Sequence, residues 1–301
     1  MDQASSLRKM VNKSAARIKK ENPARRQTSG RPPRVISVTS GKGGVGKTNI
    51  VGNLAMALTR LGHRVLVMDA DLGLANIDII FGVHPTHNIG HVINGEKSLS
   101  EIIMEGPQGI RIIPAGSGFV NLTRLSEGQK LSLLSEFEAL DDVLDFLLID
   151  TSAGISENVL YFNLAADDCI IIATSEPTSI TDAYAMMKVM ALEYGMKHFK
   201  LLVNMVADER EAKSVYMNLS QASDRFLNGV VIEYVGYIPS DEYVKKAVRK
   251  RKPVLELYPS TAASKHITKL AKSMLEWSRR TDTDGNLKFF LKRYIEYRAV
   301  G

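Results

Sequence analysis

An octapeptide near the start of the chain, Gly41-Lys42-Gly43-Gly44-Val45-Gly46-Lys47-Thr48, constrains the fold more than any other stretch. It satisfies G-x-x-x-x-G-K-[ST] between an apolar run at residues 35–38 and a helix-like segment at 49–61, the strand, loop and helix setting in which such a loop holds phosphate. Glycines let successive N–H groups turn inward on phosphate oxygens, and the following helix offers its positive end. Lys47 then carries a full charge to the β- and γ-phosphates. Thr48 supplies a hydroxyl to Mg²⁺, a hard cation that prefers oxygen ligands and keeps several waters. The plain alternative is a Gly-rich turn with no ligand; the acidic motifs farther along the chain argue against it.

Apolar runs at residues 64–68, 110–113, 146–149, 169–173, 200–204 and 231–238 join 35–38 as expected strands. Most are too uniformly apolar for a sheet with one wet face. Helical patterns lie between and after them, at 49–61, 125–140, 156–166, 179–194, 212–228, 241–250 and 260–278. The alternation predicts an α/β fold, a single doubly wound and mostly parallel sheet with helices on both faces. Ligands of such sheets sit beyond the carboxyl ends of the strands, where residues 41–48 fall.

A nucleotide hydrolase needs a second carboxylate that holds Mg²⁺ through its water shell, at the end of a neighbouring buried strand. Asp150, closing Phe146-Leu147-Leu148-Ile149, has that form. Asp69 and Asp71 follow another apolar run. Asp71, farther into the loop, is the candidate to orient the attacking water, and Asp69 the candidate to support the Mg²⁺ shell. Without the phosphate loop, either would read as a turn or cap carboxylate.

Charge divides the chain unevenly. Residues 1–34 hold 10 of the 39 Lys/Arg and 2 of the 33 Asp/Glu, so the net +6 belongs to an N-terminal arm rather than to a body that binds polyanions. The expected organisation is a basic arm and linker over 1–34, a nucleotide-hydrolase domain over 35–280, and a linker with an amphipathic helix over 281–301. In that last segment Leu287, Phe290, Leu291, Tyr294 and Ile295 share one helical face, opposite Lys288, Lys292 and Glu296. That composition suits an interfacial membrane anchor on anionic lipid; a helix docked on the body, or an exchange between the two, fits the same pattern. No apolar run approaches 18 residues and the N-terminus lacks a signal-peptide core, so a cytoplasmic protein is expected. The single cysteine, Cys169, lies in an apolar strand run and reads as a buried structural thiol.

Lys42 is surplus to holding one nucleotide. With it, Lys42-Gly43-Gly44-Val45-Gly46-Lys47-Thr48 resembles the deviant Walker A signature of the MinD/ParA-type ATPases, and the resemblance spans about residues 35–278. It implies slow, switch-type ATP hydrolysis and an ATP-dependent homodimer in which Lys42 reaches the partner's nucleotide. It assigns residues 69–76 and 150–154 to two switch segments, with Ser152 where the family commonly has proline. It also sets Asn204 and Pro239-Ser240-Asp241 against the adenine. Asp2-Gln3-Ala4, followed by Leu7 and Arg8, resembles the N-terminal motif of the flagellar number regulators of this family (FlhG, also FleN or YlxH). In that branch the motif contacts and stimulates the signal-recognition-type GTPase FlhF, with Gln3 the expected effector. The branch further implies flagellar C-ring proteins as partners and peripheral attachment to the inner face of the cell membrane when ATP is bound. Two other readings compete. A ParA-like DNA-partition ATPase would use the basic run at 245–252, and a metal-cluster carrier is disfavoured because one cysteine supplies no paired thiolates.

Overall fold

The computed structural model of the protein describes residues 32–71, 77–116 and 126–278. Strand β1 (Arg34–Ser40) is buried at every position and lies inside an eight-stranded sheet. The other strands are β2 (Val65–Ala70), β3 (Met104–Glu105), β4 (Arg111–Ile113), β5 (Phe146–Ala153), β6 (Asp168–Ala173), β7 (His198–Val206) and β8 (Val231–Pro239). Their order is β3-β4-β2-β5-β1-β6-β7-β8. Every neighbouring pair is parallel except β3 with β4. The chain winds to one side of β1 and then to the other, so the crevice of the sheet opens at the carboxyl end of β1.

Helices cover both faces, as the uniform apolar runs require. Alternate residues of β1 face opposite layers: Ile36 and Val38 pack with α1 (Lys47–Arg60), whereas Val35 joins the layer on the other side. The chain continues through the short helices α2 (Ile77–Phe81), α3 (Ile89–Ile93) and α4 (Leu99–Ile102). Next come α5 (Glu127–Glu138), α6 (Glu157–Ala165), α7 (Pro177–Tyr194) and α8 (Glu209–Phe226). It ends in α9 (Glu242–Arg249), α10 (Val254–Leu257) and α11 (Ala262–Met274). Met186, Met187 and Met190 of α7 fill the layer over β6 and β7, and Ile267, Leu270 and Met274 of α11 pack with α1 on the opposite face.

Helix starts follow side-chain chemistry. Asp208 accepts from the Arg210 and Glu211 N–H groups, so α8 begins three residues before the expected Ala212. Asp241 accepts from Tyr243 N and starts α9. The expected span of 260–278 shortens to α11 because Thr261 caps the start and the last turn closes at Met274. The sequence reading missed β3 and α2, α3, α4 and α10. All are five residues or fewer, too short to display a period.

At the base of the sheet, Arg34 Nε donates to Asp168 Oδ2 at 2.6 Å, while its other nitrogens donate to the carbonyls of Trp277 (2.8 Å) and Ser278 (2.9 Å). Arg34 is therefore the first residue of β1 and fastens the end of the described chain to it. Nearby, Asp145 accepts from Arg64 N and Nη2, both at 2.7 Å. Burial pushes the Asp145 carboxyl up, but the Arg64 hydrogen bonds and charge outweigh this and hold it below its ordinary value. A depressed folded-state pKa contributes stability above the unfolded value and loses it as pH falls through the folded one. Asp145→Asn is expected to cost about 1–2 kcal/mol at neutral pH. In urea melts the gap from wild type should close below about pH 4. Cys169 is buried as expected, and burial pushes its thiol up to about 12. A thiol reagent should leave the native protein unlabelled and take up one equivalent after denaturation.

Candidate nucleotide site

The phosphate loop leaves the carboxyl end of β1 and enters α1 with Gly46 at the N-cap, φ 85°, a left-handed conformation that glycine adopts without strain. Gly41 is required for a different reason: a Cβ there would lie 2.3 Å from the Asp182 backbone. The Ser40 hydroxyl donates to the Lys42 carbonyl at 2.8 Å, and Gly154 N donates to the Ser40 carbonyl at 2.9 Å. The second expected switch is thereby pinned to the root of the loop.

Beneath the loop, Lys47 and Asp150 form a buried pair, Nζ to Oδ1 at 3.5 Å. Asp150 lies level with Val38 of β1 and Asp69 of β2, so three adjacent strands deliver the loop and two carboxylates to one place. Burial raises the Asp150 pKa; the Lys47 charge and the Thr48 hydroxyl oppose this, and the Asp71 charge adds to it. Lys47 and Asp150 are thus in contact, Thr48 follows Lys47 in the first turn of α1, and Asp69 stands level with Asp150 on the adjoining strand. Asp150 Oδ2 is buried and has no hydrogen-bond partner among the described residues. A buried carboxylate oxygen left over beside a Thr hydroxyl is what a hydrated Mg²⁺ takes up, so the donor set fits the ion.

Asp69 and the remaining expected residues are held by partners of their own. Asp69 accepts from Asp71 N (3.1 Å) and Ile77 N (3.2 Å), tying the end of β2 to the start of α2. Lys42 does not enter its own cradle. Its Nζ is held at the rim by Glu176 and by the Thr178 hydroxyl (2.8 Å) at the start of α7. Asn204 Nδ2 donates to the Val45 carbonyl at 2.7 Å, which fastens β7 to the phosphate loop. Ser240 N donates to the Val206 carbonyl at 2.8 Å, so Pro239 and Ser240 run beside the same strand end. Both Asp241 oxygens are engaged by backbone, Tyr243 N at 2.9 Å and Ala263 N at 3.1 Å. Through these bonds it caps α9 and ties it to α11. Ser152, in the place of a proline, continues β5; the turn after it is made by Gly154 at φ 90°. Glu176 and Thr178 escaped the sequence reading because they meet Lys42 across more than 130 residues with no local motif. Asp2, Gln3, Ala4, Leu7, Arg8 and residues 72–76 lie outside the described residues, as do Leu287, Phe290, Leu291, Tyr294 and Ile295.

A glycine cradle with a buried Lys–Asp pair beneath it, at the crevice of a doubly wound sheet, defines a P-loop nucleotide hydrolase. A family described as "AAA domain" matches residues 33–206, more than half of the chain. The antiactivator FleN of Pseudomonas aeruginosa is 43% identical over 270 residues, covering 90% of this chain and 96% of FleN. The flagellum site-determining protein YlxH of Helicobacter pylori is 37% identical over 265 residues, covering 87% and 90%. Among solved structures, the septum site-determining protein MinD complexed with Mg-ADP from Pyrococcus horikoshii superposes with a TM-score of 0.63 at 23% identity, covering 80% of this chain and 96% of that one. The chain belongs to the MinD/ParA-type ATPases, close to FleN and YlxH.

Proposed function

We propose that this ATPase is a dimerising switch that regulates flagellar number and placement, with ATP and Mg²⁺ closing a pair of chains face to face. The observation that carries the reading is Lys42: it belongs to the phosphate loop yet stands at the rim, about a third exposed and turned from its own cradle. A cation so placed can complete a cradle on a second chain at little cost, because its ion pair with Glu176 is open to solvent and weak. In the closed pair Lys47 would meet the β- and γ-phosphates, Thr48 and Asp150 would hold Mg²⁺, which supplies charge neutralisation there, and Asp71 would orient the attacking water. Lys42 of the other chain stabilises the charge that develops on the transferring phosphoryl group.

The output of this switch, on the same reading, lies at the two ends of the chain. The Asp2, Gln3, Ala4, Leu7 and Arg8 motif is proposed to stimulate FlhF, the glutamine orienting water in the GTPase site. Residues 287–298 are proposed to attach the dimer to anionic lipid. Each Lys or Arg near such a surface adds about 1 kcal/mol, and two tails on one dimer reinforce each other. ATP-dependent liposome binding is therefore expected to vanish in Phe290→Glu/Ile295→Glu. Binding that survives in that variant rules out the tail as the anchor. A second reading, DNA partition, draws on the end of α9, where Lys245, Lys246 and Arg249 of the helix and Lys250 just after it are all exposed. It requires ATP-dependent DNA affinity that falls steeply with salt.

A further inference from the structure

The two ends of the described chain are fastened to each other by a buried arginine. Arg34, the first residue of β1, donates through Nε to Asp168 Oδ2 at 2.6 Å and through its other two nitrogens to the carbonyls of Trp277 (2.8 Å) and Ser278 (2.9 Å). The centre of the Trp277 ring lies 4.2 Å from Lys200 Nζ and 5.7 Å from the Arg34 guanidinium, and Lys200 pairs with Asp168 at 3.8 Å. A buried guanidinium is tolerated only when its donors are engaged, and here two of them hold the backbone of the opposite chain end. The arm before Arg34 and the tail after Ser278 therefore leave the body at one corner, at the amino ends of the parallel strands.

That corner gives a use to charge that the nucleotide site leaves idle. Residues 1–33 hold nine Lys/Arg against two Asp/Glu, and five of those cations, Lys19, Lys20, Arg25, Arg26 and Arg31, lie within fifteen residues of Arg34. The rest of the chain cannot supply attraction to an anionic surface of its own. Residues 35–301 carry 29 Lys/Arg against 31 Asp/Glu, and the tail over 281–301 carries four against three, two of those acids just ahead of its amphipathic segment. The tail thus offers apolar side chains to a lipid layer but little net charge. Chain length sets the reach: a surface that holds residue 287 stays within about 30 Å of Ser278, whereas Lys19 can extend about 50 Å from Arg34. All five cations can therefore meet the surface that the tail holds. Each Lys or Arg near an anionic layer strengthens attachment about fivefold, and linked contacts reinforce one another.

We infer that the basic arm is a second contact with anionic lipid, set by the Arg34 clasp beside the tail and supplying the charge that the tail lacks. This rests on reading the tail as the membrane anchor, and it has the arm present residues 2–8 to their partner at the lipid surface. The test is sedimentation of the full chain, with Mg-ATP, on vesicles of phosphatidylcholine alone and of equal parts phosphatidylcholine and phosphatidylglycerol. Lys19→Gln/Lys20→Gln/Arg25→Gln/Arg26→Gln is expected to weaken binding to the anionic vesicles about 10- to 100-fold and to leave binding to the neutral ones unchanged. Removing the same charge from α9, in Lys245→Gln/Lys246→Gln/Arg249→Gln/Lys250→Gln, should change it by less than about 3-fold, because α9 begins past the carboxyl end of β8, at the other end of the sheet. Melting temperatures confirm that both variants fold. An arm variant that binds anionic vesicles like wild type overturns the inference, and a loss confined to duplex DNA would assign the arm to nucleic acid instead. Equal losses in the arm and α9 variants overturn it too, since net charge rather than placement would then govern binding. If Phe290→Glu/Ile295→Glu binds like wild type while the arm variant does not, the tail reading fails alone; if wild type binds neither vesicle, both fall.

Discussion

Lys42→Ala is expected to lower kcat by about 100-fold while leaving monomer affinity for ATP within a few fold of wild type. The size follows from the loss of one preorganised charge aimed at the transition state. The selectivity follows from geometry. Lys42 lies outside its own cradle, held by Glu176 and Thr178, so its removal leaves the groups under the chain's own phosphates in place: Lys47, Thr48 and Asp150. The side chain is partly exposed, so its truncation opens no cavity and should leave the melting temperature nearly unchanged. Single-turnover hydrolysis, read beside fluorescent-nucleotide titration, separates the two effects. Equal losses in affinity and rate would place Lys42 in its own chain's site.

Asp150→Asn is expected to abolish Mg²⁺-dependent hydrolysis, with kcat down by about 10²- to 10³-fold. Asp150 is fully buried, and one of its oxygens has no hydrogen-bond partner among the described residues. The asparagine amide conserves shape but presents a neutral group and, on one side, a donor where Mg²⁺ needs an acceptor. Lys47 would also lose its buried counter-charge, so the variant should be less stable without nucleotide. A thermal-shift series isolates the metal role. Mg²⁺ should raise the melting temperature of nucleotide-bound wild type and do little for the variant, because only ligands that bind the folded state stabilise it. A variant that responds to Mg²⁺ like wild type would place the metal elsewhere.

The fold was legible because strands buried on both faces leave a plain signature. The runs at 35–38 and 146–149 became the adjacent central strands β1 and β5. What escaped was set by polarity and distance. The hydrophobic run of β5 stops at Ile149, yet the strand continues through Asp150, Thr151 and Ser152. Those polar residues are affordable there because the Thr151 hydroxyl donates to the Val38 carbonyl at 3.1 Å and Asp150 faces Lys47. The site is the reason the strand looks shorter than it is. In the same way the phosphate loop was visible residue by residue, because its chemistry is local. The contacts of Lys42 with Glu176 and of Asn204 with Val45 cross from strand end to strand end, and spacing along the chain encodes neither of them. Asp241 shows the converse: its carboxylate sits beside residues expected near the base, but the backbone of α9 and α11 claims both oxygens.

The central claim, that nucleotide occupancy decides whether two chains join, is tested most directly by sizing. Light scattering should be recorded for wild type, Lys42→Ala and Asp71→Ala, each with and without Mg-ATP. Wild type is expected to move from the mass of one chain toward that of two on adding Mg-ATP. Asp71→Ala should accumulate as dimer, because it keeps the closing contacts and loses the group that orients water, and Lys42→Ala should stay monomeric. A wild-type mass that ignores Mg-ATP, or a Lys42→Ala variant that dimerises like wild type, would contradict the account.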